Sequence, residues 1–130
     1  MKYLDKNENL VCIHIKDIDS LEGKAFLTPK DLTLQTGVLF FPKNDHVQNH
    51  IHLPRSSNIK NTIEVLFIVE GCCEIYIYDN EKNFLDSFIS KTKDIVIFVS
   101  GGHGISFIEN TKILEIKQGP YLDEDDKTKF

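Results

Sequence analysis

The segment His46-Val47-Gln48-Asn49-His50-Ile51-His52 holds three of the five histidines in this 130-residue chain. In an extended strand successive side chains point to opposite faces, so one face carries His46, Gln48, His50 and His52. A packed core has no need of imidazoles on its inner face, whereas a metal ion or a polar ligand does. The alternation therefore predicts a strand that faces a binding site.

His50 and His52 are the two histidines of this segment best placed to share a ligand. Two imidazoles two residues apart on a strand project side by side, and neutral imidazole binds divalent iron, nickel, copper or zinc well. The same spacing also fits two histidines on a solvent-facing edge. Residues elsewhere in the chain have to decide between the two interpretations.

Glu64 and His103 are the strongest such residues. Glu64 opens an otherwise apolar strand, where a carboxylate must reach water, a cation or a metal to avoid a large burial cost. His103 lies in the run Gly101-Gly102-His103-Gly104, where the backbone can approach a ligand closely. An edge glutamate and a histidine in an exposed turn are the alternative interpretations.

The elements that would position these residues are short strands. Turn signals separate about eight or nine of them at roughly ten-residue spacing, which predicts an all-β sandwich or barrel. A connector from Lys16 to Lys30 includes one helical turn near Ser20. The predicted strands are Leu10–Ile15, Val38–Phe41, His46–His52, Ile63–Val69, Glu74–Tyr78, Phe84–Ile89, Ile95–Val99, Ile105–Ile108 and Lys112–Lys117.

Length and charge limit the function classes. The chain suits one domain, residues 1–130. A net charge of −5 with no clustered Lys or Arg argues against nucleic-acid binding. The charged start and the short apolar runs predict neither a signal peptide nor a membrane span, so a cytoplasmic location is expected. Its three cysteines, an odd number, are expected to be buried thiols.

One order of residues resembles the two-motif signature of the cupin superfamily. It runs from His50-x-His52 to Glu64, whose apolar strand closes at Gly71, and on to His103 in its glycine-rich turn. The resemblance covers about Gly37 to Gln118, and the ending up to Tyr121 is similar to that of small single-domain bacterial cupins. It implies a double-stranded β-helix, or jelly-roll barrel, over about residues 32–118. Residues 1–31 would be an N-terminal strand and connector, and 121–130 an acidic tail.

The resemblance also implies a metal site. Cupins usually hold a divalent transition metal with three His and one Glu, here His50, His52, Glu64 and His103, and iron, nickel, manganese and zinc are the candidates. Eleven residues separate His52 from Glu64, where the family usually has three or four. A site of three histidines, or one completed by His46 or Gln48, therefore stays open.

Further residues are expected to line a pocket around the metal. His46 and Gln48 share the histidine face, Arg55 and Lys60 could bind an anionic substrate, and Tyr76 could donate a hydrogen bond. The predicted function is a metal-binding small-molecule cupin, whose substrate, if it is an enzyme, is a small anionic or sugar-derived molecule. Two alternatives are a metal-free isomerase or epimerase of nucleotide-linked sugars, using His50, His103 and Tyr76, and a non-catalytic ligand-binding module. Whether the protein is an enzyme is left open, and a homodimer is expected.

Overall fold

A five-stranded antiparallel sheet forms one layer of the molecule. The structure is a computed structural model that describes residues 1–119 and 127–130. The strands of this sheet lie in the order β1-β2-β8-β5-β10, with β1 and β10 at its edges. They are β1 (Lys2–Leu4), β2 (Leu10–Ile15), β5 (Glu64–Glu70), β8 (Ile95–Phe98) and β10 (Lys112–Lys117).

A three-stranded antiparallel sheet forms the second layer. Its order is β7-β6-β9, with β6 (Cys72–Tyr78) between β7 (Phe84–Lys91) and β9 (Gly102–Phe107). The side chains of Cys73, Ile75 and Ile77 point from β6 into one buried cluster with residues of the first sheet. The two sheets therefore pack face to face, as in a β-sandwich.

The outer face of the five-stranded sheet has a second apolar cluster. Ile13, Val65 and Ile97 are buried on this face because they alternate along their strands with residues of the inner cluster. Its cover comes from the segment after β2, which contains a 3-10 turn (Ile18–Ser20) and the hairpin of β3 (Lys24–Phe26) and β4 (Gly37–Leu39). A sheet buried on both faces explains the near-continuous apolar runs of its central strands.

A buried side-chain hydrogen bond joins β2 to the turn before β8. His14 is 2 % exposed and Asp94 is 6 % exposed, and Nε2 of His14 lies 2.9 Å from Oδ2 of Asp94. The backbone N–H groups of Asp17 and Lys91 also donate to this carboxylate, each at 2.9 Å. Asp94 thereby satisfies several donors that would otherwise be buried without a partner.

The pKa values of this pair are both displaced downward. Burial lowers the pKa of His14, and the hydrogen bond that His14 donates to the Asp94 carboxylate offsets this in part. Burial alone would raise the pKa of Asp94, but the donors from Asp17, Lys91 and His14 hold it below its usual value. The folded protein consequently favours a charged carboxylate beside a neutral imidazole.

The coarse features of the predicted fold are confirmed. The described residues are all-β, the turn near Ser20 is present, and Cys12, Cys72 and Cys73 are buried free thiols. Burial raises the pKa of Cys12 to about 12, as expected for an inert thiol. No helix in the described part of the chain is long and apolar enough to cross a membrane. The acidic run 123–126, predicted to be a solvated tail, lies outside the described residues.

The predicted strand at His46–His52 is wrong. This segment forms no strand, and its apolar residues Val47 and Ile51 are 53 % and 90 % exposed. The predicted inner face consisted of polar side chains, and the opposite face offers only Val47 and Ile51, which is too little apolar surface to hold the segment against a sheet. Conversely, β3 was not predicted, because three residues carry too little pattern and its apolar packing comes from the outer cluster.

Candidate functional site

The candidate site lies where the apolar core between the two sheets ends. On β5 the side chains of Leu66 and Ile68 point into the core and are buried. Glu64, the first residue of the strand, precedes them at the same spacing of two residues. Alternation places the Glu64 carboxylate on the same inner face as these two residues. The side chain is 20 % exposed, so it stands at the mouth of the sandwich.

His103 reaches this mouth from the opposite sheet. It is the second residue of β9 and pairs with Ile77 of β6. Its ring stacks on Phe98, with centroids 3.8 Å apart and planes 5° from parallel, and Phe98 is the register partner of Glu64 across β8 and β5. Phe98 therefore fixes His103 beside Glu64, with Nε2 of His103 3.8 Å from Oε2 of Glu64.

The electrostatic surroundings favour the neutral form of His103. Burial lowers the pKa of His103, the nearby Lys127 ammonium lowers it further, and Glu115 acts in the opposite direction. A neutral imidazole has a lone pair free to bind a metal or accept a proton. The ring is 29 % exposed and therefore accessible to a ligand from the mouth.

Two charged residues of β10 complete this end of the inner face. Lys117 is the register partner of Glu64, and Glu115 lies two residues earlier on the same face. Nζ of Lys117 is 3.4 Å from Oε1 of Glu115. At this end of the sandwich, charged side chains therefore replace the apolar side chains of the interior.

These side chains border a cavity of about 560 Å³, which is of the size of small-molecule sites. One wall is the hairpin after β6 and the glycine-rich turn before β9, and another is the C-terminal segment. The described lining residues include Thr62, Glu64, Tyr78, Asp79, Asn80, Lys82, Phe98, Ser100, Gly101, Gly102, His103, Gly104, Glu115, Lys117, Lys127, Thr128, Lys129 and Phe130.

Of the four predicted metal ligands, the structure brings Glu64 and His103 together. His50 and His52 lie on the exposed segment that follows β4, outside the described lining of the cavity. Their two rings meet edge to face with centroids 5.0 Å apart, and Nδ1 of His50 is 2.9 Å from the backbone oxygen of Gln48. Within residues 1–119 and 127–130, no three His, Cys, Asp or Glu side chains form a group able to hold a metal.

The predicted pocket residues also lie away from the cavity. His46, Gln48, Arg55 and Lys60 are exposed on the same segment as His50. Tyr76 alternates with the buried Ile75 and Ile77, so it stands on the outer face of the three-stranded sheet, where its hydroxyl donates to Glu74 at 2.7 Å. Tyr78, two residues later, lines the cavity.

Several lining residues were missed from sequence. Alternation along Lys112–Lys117 places Glu115 and Lys117 on one face, and pairing of this strand with β5 would have brought them to Glu64. The C-terminal residues Lys127 to Phe130 give no comparable signal, because a charged tail is ordinarily solvated. Their position depends on contacts with residues about fifty positions earlier in the chain.

No family model, curated protein or solved structure matches the chain, so the resemblance to cupins rests on the sequence motifs.

Proposed function

We propose that this protein is a small cupin-like barrel that binds a divalent transition metal and a small molecule at the mouth lined by Glu64 and His103. The observation that carries the proposal is the 3.8 Å approach of the His103 imidazole to the Glu64 carboxylate beside a cavity of about 560 Å³. The two residues come from different sheets and are 39 positions apart. Their meeting at the end of an apolar core suits a shared ligand better than packing does.

The donor set at the mouth fits a metal. Carboxylate oxygen and neutral imidazole nitrogen are both ordinary ligands of iron, nickel, manganese and zinc. Two adjacent ligands of one octahedral ion with bonds of about 2.1 Å are about 3.0 Å apart, so the 3.8 Å separation of Glu64 and His103 would close by less than about 1 Å on metal binding. Phe98, stacked on the His103 ring, limits the rotation of that ring and so prepares it for binding.

His50 and His52 would supply the remaining two ligands. Among the described residues, none from 46 to 62 takes part in a strand ladder, so turning this segment toward the mouth breaks no sheet. The two rings already lie together, which favours their binding one ion as a pair. The finer fold proposal, a double-stranded β-helix, rests on the same residues, since that fold brings both cupin motifs to one mouth.

The chemistry at this site would be that of a Lewis acid with an open coordination position. Glu64 and His103 would orient the small molecule, and the apolar side chains beneath them would exclude water from one side. Tyr78 and Lys117 line the same cavity and would bind polar groups of the small molecule. The proposal also covers a protein that binds the small molecule without converting it. Activity assays on the metal-loaded protein would distinguish such binding from catalysis.

The geometry favours the metal-binding proposal over the metal-free isomerase alternative. That alternative needs Tyr76 beside His50 and His103 as an acid–base group. The hydroxyl of Tyr76 instead donates to Glu74 on the outer face of the sheet.

A homodimer is proposed as the assembly. β10 is an edge strand of the five-stranded sheet, and its Leu114 and Ile116 are 52 % and 50 % exposed. Edge strands with apolar side chains are covered in many proteins by a second copy.

Metal binding by the two loop histidines tests this proposal. We expect tag-free wild-type protein to bind one cobalt(II) ion per chain with ligand-field absorption in the visible range. A His50→Ala/His52→Ala variant should bind at least about 100-fold more weakly, because two of four direct ligands are lost and even a residue that only orients a ligand typically contributes 10- to 100-fold. His46→Ala, on the same exposed segment, serves as the matched control and should bind like wild type. Equal affinity in wild type and in the double variant would exclude the loop histidines from the site.

A further inference from the structure

The C-terminal residues are fastened across one side of the cavity by Phe130. Its ring packs edge to face on Tyr78, with centroids 5.1 Å apart and planes at 87°, and Nζ of Lys82 lies 5.5 Å from the ring centroid. A Cβ atom built on Gly102 would lie 2.7 Å from Cζ of Phe130. The absence of a side chain at Gly102 is therefore what allows the ring to sit against β9.

This anchor brings two lysines to the mouth. Lys127 and Lys129 both line the cavity, and Lys127 lies near enough to His103 to lower its pKa. Residues 127–130 thus form a wall of the site beside His103. Without the contacts of Phe130, the ordering of these two long side chains would cost more conformational entropy on binding a ligand.

Among the described residues that line the cavity, lysines outnumber carboxylates, which favours a negatively charged ligand. The described lining contains four lysines, Lys82, Lys117, Lys127 and Lys129, against the three carboxylates Glu64, Asp79 and Glu115. Each carboxylate already faces a partner. Asp79 accepts from Asn83 and from the backbone N–H of Glu81, Glu115 pairs with Lys117, and Glu64 faces His103.

We propose that Lys127 and Lys129 are the anion-binding residues of this cavity, and that its ligand is a small molecule with a carboxylate or phosphate group. Lysine ammonium groups bind either kind of anion through charge-assisted hydrogen bonds. The inference rests on the proposed function only in placing the rest of the ligand beside Glu64 and His103. It replaces Arg55 and Lys60, the cations that the sequence suggested for this role and that lie on the exposed segment.

Binding of two simple anions to metal-free protein tests the inference. Metal is removed with a chelator and the protein is dialysed, and then inorganic phosphate or citrate is added while the backbone amide resonances of Gly102 and Gly104 are followed by NMR. We expect saturable shifts with at least one anion, which identifies the phosphate or the carboxylate as the recognised group. Lys127→Ala/Lys129→Ala should bind that anion about tenfold more weakly, because two charged donors are lost.

Two further variants separate this role from a general effect of charge. Arg55→Ala/Lys60→Ala removes the same number of positive charges from the exposed segment and should bind like wild type. Phe130→Ala keeps both lysines but loses the anchor, and it should bind the anion several-fold more weakly. The absence of a saturable shift with either anion would overturn the inference. An equal loss of anion affinity in Lys127→Ala/Lys129→Ala and in Arg55→Ala/Lys60→Ala would overturn it as well.

The outcome is independent of the metal. If wild-type protein binds the anion through Lys127 and Lys129 but does not bind cobalt(II), the inference is supported and the proposed metal function is contradicted. Cobalt(II) binding without any anion binding that depends on Lys127 and Lys129 would do the reverse.

Discussion

Glu64→Gln and His103→Ala should each weaken cobalt(II) binding by at least about 100-fold. Each variant removes one direct ligand, and even changes in residues that only orient a ligand typically cost 10- to 100-fold in metal affinity. Glutamine keeps the size of Glu64 but loses the negative charge that helps to bind a cation. Titration of metal-free protein with cobalt(II), followed by visible absorption, measures both losses.

Two matched variants control this prediction. Glu109→Gln removes a carboxylate from an exposed position after β9, and His46→Ala removes an imidazole from the exposed segment. Both should bind cobalt(II) like wild type. A wild-type affinity in Glu64→Gln or His103→Ala, with the protein folded by circular dichroism, would remove that residue from the metal site.

Asp94→Ala should lower the free energy of unfolding by about 3 to 5 kcal/mol. The carboxylate is 6 % exposed and accepts hydrogen bonds from His14 and from the backbone N–H groups of Asp17 and Lys91. Its removal leaves these donors buried and unpaired, which costs far more than the loss of an exposed ion pair. Urea unfolding at pH 7 measures the change, and Asp31→Ala, at an exposed position, should stay within about 0.5 kcal/mol of wild type.

The same pair gives the wild type a pH-dependent stability. The pKa of His14 in the folded state lies below its usual value of 6.5, so below that pH the unfolded chain binds the proton more readily. Stability should therefore fall with a slope of up to about 1.4 kcal/mol per pH unit as the pH decreases below 6.5. His103, with a lowered pKa, adds in the same direction. His14→Gln, which retains an N–H donor for Asp94, should show a shallower slope, and an unchanged slope would exclude His14 as a cause.

The sequence predicted those strands whose residue pattern indicates which side chains are buried. β2 and β5 are near-continuous apolar runs, β6 and β10 alternate regularly, and each of these predicted strands contributes side chains to the apolar clusters. The His46–His52 segment has the same alternation with polar side chains on the inner face. Periodicity describes which side chains share a face, but it supplies no stabilising free energy unless that face is apolar.

The candidate site was predicted in part for a similar reason. Glu64 stood out as a carboxylate in an apolar strand and His103 as an imidazole among glycines, and the structure places them 3.8 Å apart. Glu115 and Lys117 required knowledge of which strand pairs with β5. The wall formed by Lys127 to Phe130 depends on the contacts of Phe130 with Tyr78, Lys82 and Gly102. No local sequence pattern in the tail predicts these contacts.

The position of a bound metal tests the central claim most directly. Crystals of tag-free protein grown with one equivalent of cobalt(II), measured at the cobalt absorption edge, give an anomalous difference map that locates the ion. We expect one peak per chain at about 2.0 to 2.2 Å from a carboxylate oxygen of Glu64 and from Nε2 of His103, with the His50 and His52 rings turned toward it. A map with no cobalt peak at the mouth, or with cobalt bound only by histidines on the exposed segment, would contradict the proposal.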